Sequence, residues 1–552
     1  MTMEADATYT LPELAQQLAA MAAQVESLAS ENARLAADNE RYALTIEQLL
    51  EQISLLKTRA YAPKSERSEG QLSLFNEVEA EADESVPEPA ADEALSRPRR
   101  RGGKRKLNLE ALETVVVEHA VPAEERRCPS CGSELARMSV EVTKTVRLVP
   151  AHLVVEEHRR EVCRCEACCR RNAEDGSVPA VIVRAGMRNL PIPGSFATPS
   201  LISHVMFAKY CNATPLYRLE SEFAYLGAEI SRQNMANWVM GSFERWLSLI
   251  CERMRHHLLQ NDIIHADETE VQVLREPGRK ATSKSYMWVL RSAAVDKPIC
   301  VYHYDPSRGG EVIRRLLGGW RGTLCTDGYQ AYYSLPGVTN VSCLVHARRK
   351  FAEIVKAAGG DLKAARACSV ALEARRKLDK VFAADSRFDD MDPQERKRQR
   401  DEHVRPLLEE FEAWALDQRD RALEGFELHK ALSYACAHMP YVRNVLEDGR
   451  LEFSNNIAER SVKSFVISRK NSLFSNTPRG AEASAGAYSI METAKLNGLR
   501  PRNYVEWLLD EMPNAGELTD EVVDSFLPWS DAVPASCRMD AQAAAPGEGD
   551  GA

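Results

Sequence analysis

The chain has 552 residues, a formal net charge of −10, 28% charged side chains and 14 cysteines. That length suits roughly three or four folded units. It holds no apolar run of the eighteen or so residues that would span a bilayer, and the opening MTMEADATYT lacks the basic and apolar regions of a secretory signal, so a soluble intracellular chain is expected. In that compartment thiols stay reduced, which excludes a disulfide framework and makes clustered cysteines candidate metal ligands.

The first organised segment carries an apolar 3,4 repeat over six heptads. One seam series reads Leu14, Met21, Leu28, Leu35, Tyr42, Leu49 and Leu56; the other reads Leu18, Val25, Asn32, Asn39, Ile46 and Ile53. A coiled coil over about residues 10–60 is expected, forming a homodimer or higher oligomer. With the second series at position a, Asn32 and Asn39 pair across a parallel dimer and penalise other registers.

Residues 61–107 read as a linker, first acidic and then basic. Residues 77–94 hold eight acids and no Lys or Arg, and residues 517–552 hold eight acids against Arg538. Setting aside the fifteen net negative charges of these two stretches leaves the rest of the chain at +5. Both are rich in small and turn-forming residues and read as solvated, disordered segments, the second as an acidic tail over 516–552. RPRRRGGKRK at 97–106 carries seven cationic side chains, among them Arg99, Arg100, Arg101, Lys104 and Arg105. Such a run neutralises phosphates without reading bases.

A module over 108–180 follows. Cys128 and Cys131 form one C-x2-C pair and Cys165 and Cys168 a second, separated by 33 residues. This spacing fits a tetrahedral structural Zn2+ site in which metal–thiolate bonds replace the core that a small module lacks. Cys163 and Cys169 are surplus, and either can exchange with a neighbour in that set. Residues 190–260 turn helical, and ESEFAYLGAEISRQNMANWV, with Gly227 at the turn and Ser231 as the N-cap of the second helix, reads as a helix-turn-helix able to contact DNA.

From 261 the pattern becomes strands. DIIHADETEVQVL, SYMWVLRSA and PICVYHYD are three antiparallel strands, SRGGEVIRRLL is a helix, and GTLCTDGYQAYY is a fourth strand running into a helix. That order is the order of a ribonuclease H-like core. It places Asp267 on the first strand and Asp327 at the end of the fourth, side by side, where two bare carboxylates repel unless a divalent cation lies between them. Strand alternation points the neighbouring Glu268 and Glu270 away from Asp267. A third acid is expected from a helix in SNNIAERSVKSFVISRKNSLF, where Glu459 shares a face with Asn455 and Asn456 and is flanked by the phosphate-binding Arg460 and Lys463. Three carboxylates can hold two Mg2+ ions, or Mn2+, with a scissile phosphate. The 131 residues between Asp327 and Glu459 exceed what one strand and one helix need. An α-helical insertion over about 345–450 is therefore expected, with Arg348 and Arg349 in HARRKF as DNA contacts.

The ordered series HADET, TDGYQAY, HARRKF, NNIAERSVK, RKNSLF and YSIMETAKLNGLRPRNYV resembles the transposases of the insertion-sequence-66 family. The zipper, KSERSEGQLSLF, the four-cysteine module and LPIPGSFATPSLISHVMFAKYCNATPLYRLE match as well, so the likeness spans roughly residues 14–510. Members of that family carry a DDE catalytic triad, which falls on Asp267, Asp327 and Glu459 here. Ser454 stands where many members place Asp before the paired asparagines. The implied architecture is an α/β, ribonuclease H-like catalytic domain over 261–475 with its helical insertion, preceded by the coiled coil and zinc ribbon and followed by a helical region over 476–515.

The function expected is metal-dependent cleavage of the ends of an insertion sequence and joining of those ends to target DNA, with terminal repeats and target as DNA partners and proteins encoded by the same element as accessory partners. No membrane partner is expected. Two other classes fit parts of the chain: a ribonuclease H-like nuclease or resolvase that hydrolyses without joining, and a zinc-dependent DNA-binding regulator, for which the spaced acids are superfluous.

Overall fold

The computed structural model describes residues 11–61, 152–165, 173–174, 176, 182–293, 296–357 and 369–539. The basic run with Arg99, Arg100, Arg101, Lys104 and Arg105, the acidic linker, and Cys128, Cys131 and Cys168 lie outside them. The chain divides into two units, residues 1–62, 186–222 and 230–538 in one and residues 63–185, 223–229 and 539–552 in the other. In the second unit, β1 (Val162–Arg164) pairs antiparallel with β2 (Ile182–Arg184), with Cys163 opposite Val183. Cys165 follows directly, and the Arg160 guanidinium donates to the Ala185 carbonyl at 2.7 Å.

The first unit opens with α1 (Leu11–Tyr61), a single 51-residue helix. Its seam side chains Leu18, Met21, Val25, Leu28, Leu35, Tyr42, Ile46, Leu49 and Ile53 are exposed. An apolar stripe of that length in water is a face that a partner would cover.

Four helices lead to the sheet: α2 (Pro199–Tyr210), α3 (Leu216–Tyr225), α4 (Arg232–Ser242) and α5 (Ser248–Leu258). Between α3 and α4, Gly227 takes φ +87°, a left-handed conformation natural to glycine, and the Ser231 hydroxyl accepts from Asn234 N as the N-cap of α4.

The sheet has five strands: β3 (Ile263–Gln272), β4 (Lys284–Ser292), β5 (Cys300–Asp305), β6 (Gly322–Thr326) and β7 (Val338–Ser342), in spatial order β5-β4-β3-β6-β7. The first three are antiparallel, and β6 and β7 add in parallel beside β3. The fifth strand, VTNVS, was not among the sequence expectations; it is short and flanked by turn residues, so its alternation is brief. Between β5 and β6 lies α6 (Gly310–Leu316). The edge strand β5 is covered by α13 (Pro478–Leu496), whose small residues let helix and strand approach. There Ser489 Oγ accepts from Tyr302 N at 2.8 Å and Thr493 Oγ1 from Cys300 N at 3.1 Å, satisfying an edge that would otherwise template aggregation.

Helices fill the interval between β7 and the third acid: α7 (Leu344–Ala357), α8 (Val370–Asp385), α9 (Pro393–His403), α10 (Arg405–Arg421) and α11 (Glu427–Val442). Their core of Phe351, Leu378, Leu408, Phe411, Leu432 and Met439 is continuous with the sheet through Ile263, Cys325 and Val341. Arg400 is fully buried there, and its guanidinium meets Asp385 at 2.5 and 2.9 Å, so neither charge is left bare. After α12 (Asn456–Asn471) and α13 come α14 (Pro501–Glu511) and α15 (Asp520–Ser525).

The expected disordered tail over 516–552 is corrected here: residues 516–538 are folded, with Val523, Phe526, Leu527, Val533 and Cys537 buried. Two of its acids, Asp520 and Asp524, are counterions. Asp524 takes a two-pronged hydrogen bond from Arg253 at 2.7 and 2.6 Å, and Asp520 accepts from the same guanidinium at 2.7 Å. Net charge concealed a short apolar set spaced among paired carboxylates.

Candidate active site

The parallel register of β3 and β6 pairs Ile263 with Thr323, Ile264 with Leu324 and His265 with Cys325. The pairing ends there, and two residues further on stand Asp267, still within β3, and Asp327, in the turn just after β6. The turn after β6 is shaped for this position. Asp327 Oδ1 accepts from Tyr329 N at 2.9 Å, and the Asp327 carbonyl accepts from the Tyr434 hydroxyl of α11 at 2.9 Å. Between them Gly328 adopts φ +93°, and a Cβ there would lie 2.7 Å from the His438 ring.

Glu459 comes from the first turn of α12, which packs on β3 and β4. The helix start is bolted to the sheet by Asn455: its Nδ2 donates to the Ala266 carbonyl at 2.9 Å, its Oδ1 meets His265 Nδ1 at 3.0 Å, and its backbone N donates to Cys343 Sγ at 3.3 Å. Asn455 is therefore buried at the helix start, whereas Asn456 is exposed. The expected shared face of Asn455, Asn456 and Glu459 is replaced by an anchor and a lever.

Asp267 feels the charge of both other acids. Burial first, then the charges of Glu268, Asp327 and Glu459, push the Asp267 carboxyl up to about 8. Glu459 makes no pair with Lys463; its oxygens face His346 Nε2 at 3.8 Å and Arg349 Nη2 at 3.6 Å, both from α7. Its Oε1 is buried without a hydrogen-bond partner among the described residues, as is His346 Nδ1. A buried Asp267 raised by its acidic neighbours and an orphaned Glu459 oxygen are groups that a divalent cation would satisfy; among the described residues, however, the donor set that closes to within 4.8 Å is Cys343, His346 and Glu459, not the three carboxylates.

Of the cationic side chains expected at DNA, Arg460 and Lys463 are exposed beside Glu459. Arg348 is instead tied to Asp379 of α8 at 2.5 Å, and Arg349 leans on Glu459. Sequence reasoning missed Glu268 as a member of the surroundings. It is the alternate position to Asp267, yet its side chain is 1% exposed, held by Arg308 at 2.5 and 2.8 Å and by the Tyr332 hydroxyl. Glu270, in contrast, is exposed and pairs with Lys284. The available signal was the burial of β3 on both faces, which strand alternation alone does not reveal.

Four family models match this chain: the IS66 family transposase over residues 194–483, the zinc-finger binding domain of transposase IS66 over 125–169, the IS66 C-terminal element over 489–529, and a model described as transposase C of IS166 homeodomain over 48–117. The zinc-finger match encloses Cys128, Cys131, Cys165 and Cys168. Among curated relatives, the uncharacterized protein y4jD of Sinorhizobium fredii (strain NBRC 101917 / NGR234) is 30% identical over 429 residues, 74% of this chain and 79% of the relative. The uncharacterized protein y4qI of the same strain is 25% identical over 510 residues, 88% of this chain and 89% of the relative. No solved structure matches. With a transposase model covering more than half of its residues and a relative of this identity and coverage, the chain belongs to the IS66 transposase family.

Proposed function

We propose that this chain is a DDE transposase that binds the ends of its insertion sequence, cleaves a DNA strand at each and joins the freed ends to target DNA. The observation that carries the reading is the electrostatic convergence of Asp267, Asp327 and Glu459, drawn from β3, the β6 turn and α12, with the Asp267 carboxyl pushed up to about 8. Three antiparallel strands extended by two parallel ones, with one acid within the central strand β3, one just after the adjacent β6 and one on a later helix, favour the ribonuclease H-like assignment of this core.

A pair of divalent ions, Mg2+ or Mn2+, when bound supplies activation of a water or a DNA 3′-hydroxyl and neutralises charge at the leaving 3′-oxygen. The chain's part is positional. Asp267 is presented from the middle of β3, Asp327 by the turn directly after β6, and Glu459 by a helix whose first turn is fixed through Asn455. Arg460 and Lys463, exposed next to Glu459, are suited to hold the phosphates flanking the scissile bond. No side chain need form a covalent bond to DNA. The basic run and the four-cysteine zinc module are assigned to sequence-independent and end-proximal DNA contact. The exposed seam of α1 is assigned to self-association, which would bring two catalytic units to two ends. Among the described residues no helix is long and apolar enough to cross a membrane.

The test is strand joining by full-length protein with labelled element ends, plasmid target and Mg2+. Asp267→Asn, Asp327→Asn and Glu459→Gln are each expected to abolish cleavage and joining while leaving end binding intact, since an amide is a poor ligand for a hard cation. A double substitution should be little worse than a single one, because the three act as a unit. Hydrolysis without any joined product would establish the nuclease alternative instead, and full activity of all three variants would remove the assignment.

A further inference from the structure

Beside the acid cluster lies a second set of donor atoms that the carboxylate triad does not require. Cys343 closes β7, His346 sits in the first turn of α7 and Glu459 in the first turn of α12; the Cys343 sulfur, one His346 ring nitrogen and a Glu459 oxygen all lie within 4.8 Å of one another. The set is built by the fold. Cys343 N donates to Thr326 O at 3.0 Å and Leu344 N to Phe453 O at 2.8 Å, so the segment before α7 is locked to both β6 and the approach to α12.

Simple capping accounts for Cys343 alone, whose sulfur accepts from Asn455 N. It does not account for two polar atoms, His346 Nδ1 and Glu459 Oε1, buried without hydrogen-bond partners among the described residues. Each such group carries a desolvation penalty that a native fold rarely leaves unmet.

We propose that Cys343, His346 and Glu459 together hold one zinc-class divalent ion, a mixed sulfur, nitrogen and oxygen position distinct from the oxygen-only pairing of Asp267 and Asp327. Tetrahedral bonds of about 2.0 to 2.3 Å set donors roughly 3.3 to 3.8 Å apart, within small side-chain rotations of the distances present here. Three protein donors leave a fourth position open to water. Thiolate and imidazole select zinc or cobalt over Mg2+, which prefers six oxygens. The thiol proton passes to solvent as the sulfur–metal bond forms, so the charge balance closes. The ion would fix Glu459 through its orphaned oxygen, and in using Glu459 the inference rests on the triad reading; the metal count itself does not.

The experiment uses the full chain, stripped by chelator and reloaded with Co2+ or Zn2+. Expected is one ion per chain fewer in Cys343→Ser and in His346→Ala than in wild type, with circular dichroism unchanged. In a background with Cys128, Cys131, Cys163, Cys165, Cys168 and Cys169 all changed to Ser, which removes the ribbon's thiolates, the sulfur-to-cobalt charge-transfer absorption should persist and then vanish on adding Cys343→Ser. Asp267→Asn should end strand joining yet keep this ion, so the two readings fail separately. The inference is overturned if the ion count and the absorption are unaffected by both Cys343→Ser and His346→Ala, or if the ion is lost with Asp267→Asn and retained with His346→Ala.

Discussion

His265 and Asn455, 190 residues apart in the chain, meet at 3.0 Å between Nδ1 and Oδ1 with both side chains buried. Because the Asn455 amide nitrogen is spent on the Ala266 carbonyl, its oxygen is the acceptor and His265 donates from Nδ1. Burial keeps that imidazole neutral, pushed down to about 4. The Asn455 carbonyl in turn accepts from Glu459 N at 3.1 Å. The third acid is thus positioned relative to the first through one residue that touches no reactant.

Asn455→Ala should therefore do two things. It strips buried partners from His265 and the Ala266 carbonyl, for a destabilisation of about 2 to 4 kcal/mol in thermal or urea unfolding. At a temperature where the variant stays folded, strand joining should fall roughly 10- to 100-fold, the usual cost of freeing an orienting residue behind a ligand. A variant with wild-type joining rate would show that Glu459 finds its place without this anchor.

Glu268 and Glu270 make a matched pair with opposite expectations. Glu270→Gln removes only an exposed ion pair with Lys284 and should change stability by less than about 0.5 kcal/mol. Glu268→Gln weakens a buried carboxylate's bonds to Arg308 and Tyr332 and should cost about 1 to 3 kcal/mol. It also removes one of the charges that raise Asp267, so activity should change with it. Equal melting temperatures for the two variants would contradict the burial of Glu268.

Gly328→Ala tests the turn that carries Asp327. The added methyl meets the His438 ring at 2.7 Å in a backbone conformation that side chains disfavour, so either the turn or α11 must move. A loss of about 1 to 3 kcal/mol is expected, with a larger proportional loss of joining than the neighbouring exposed Gln330→Ala. The two losses are read by chemical unfolding and by the joining assay on the same preparations.

Much of this was legible in the sequence because it was periodic or spaced. The heptads of α1, the alternation around Asp267 and the strand order placing Asp267 beside Asp327 all follow from local pattern plus topology. Less legible was anything set by contacts between distant segments. Asn455 looked like a neighbour of Glu459 on a helix face and is an anchor to β3. Arg348 looked like a DNA contact and is paired with Asp379. The C-terminal acids looked solvated because composition averages hide which carboxylate has a cation waiting 271 residues upstream, as Asp524 has in Arg253. The short strand β7 was missed because five residues between turns carry too few alternations to stand out.

The α1 seam gives a solution test. Asn32 and Asn39 are exposed in the single chain, at the positions where a parallel pair would bring them face to face. Replacing both with Leu should strengthen self-association and broaden the oligomer distribution, seen by sedimentation of the full chain at several concentrations. A wild-type chain that remains monomeric at tens of micromolar would remove the zipper assignment.

The last prediction concerns acid and the C-terminal segment. Hydrogen bonding from Arg253, helped by His257, holds the Asp524 carboxyl below its ordinary range. A carboxylate with a depressed folded pKa contributes stability that is fully present above its ordinary value near 4 and is lost as the pH falls through the folded pKa. Its side chain is about one-third exposed, so solvent screening limits the contribution to about 1 kcal/mol. Asp524→Asn should therefore lower the melting temperature at pH 6 to 7, and the gap to wild type should close only as the pH falls through the lowered folded pKa, where the native carboxyl takes up its proton. Limited proteolysis should show the same ordering, with cleavage in 516–538 faster in the variant than in wild type at neutral pH and similar in acid, using an acid-tolerant protease at the low end. A gap of the same size at pH 7 and at the lowest pH where both proteins stay folded, with no narrowing between, would mean that Asn fails for steric reasons, and that the Arg253 pair does not hold this segment down.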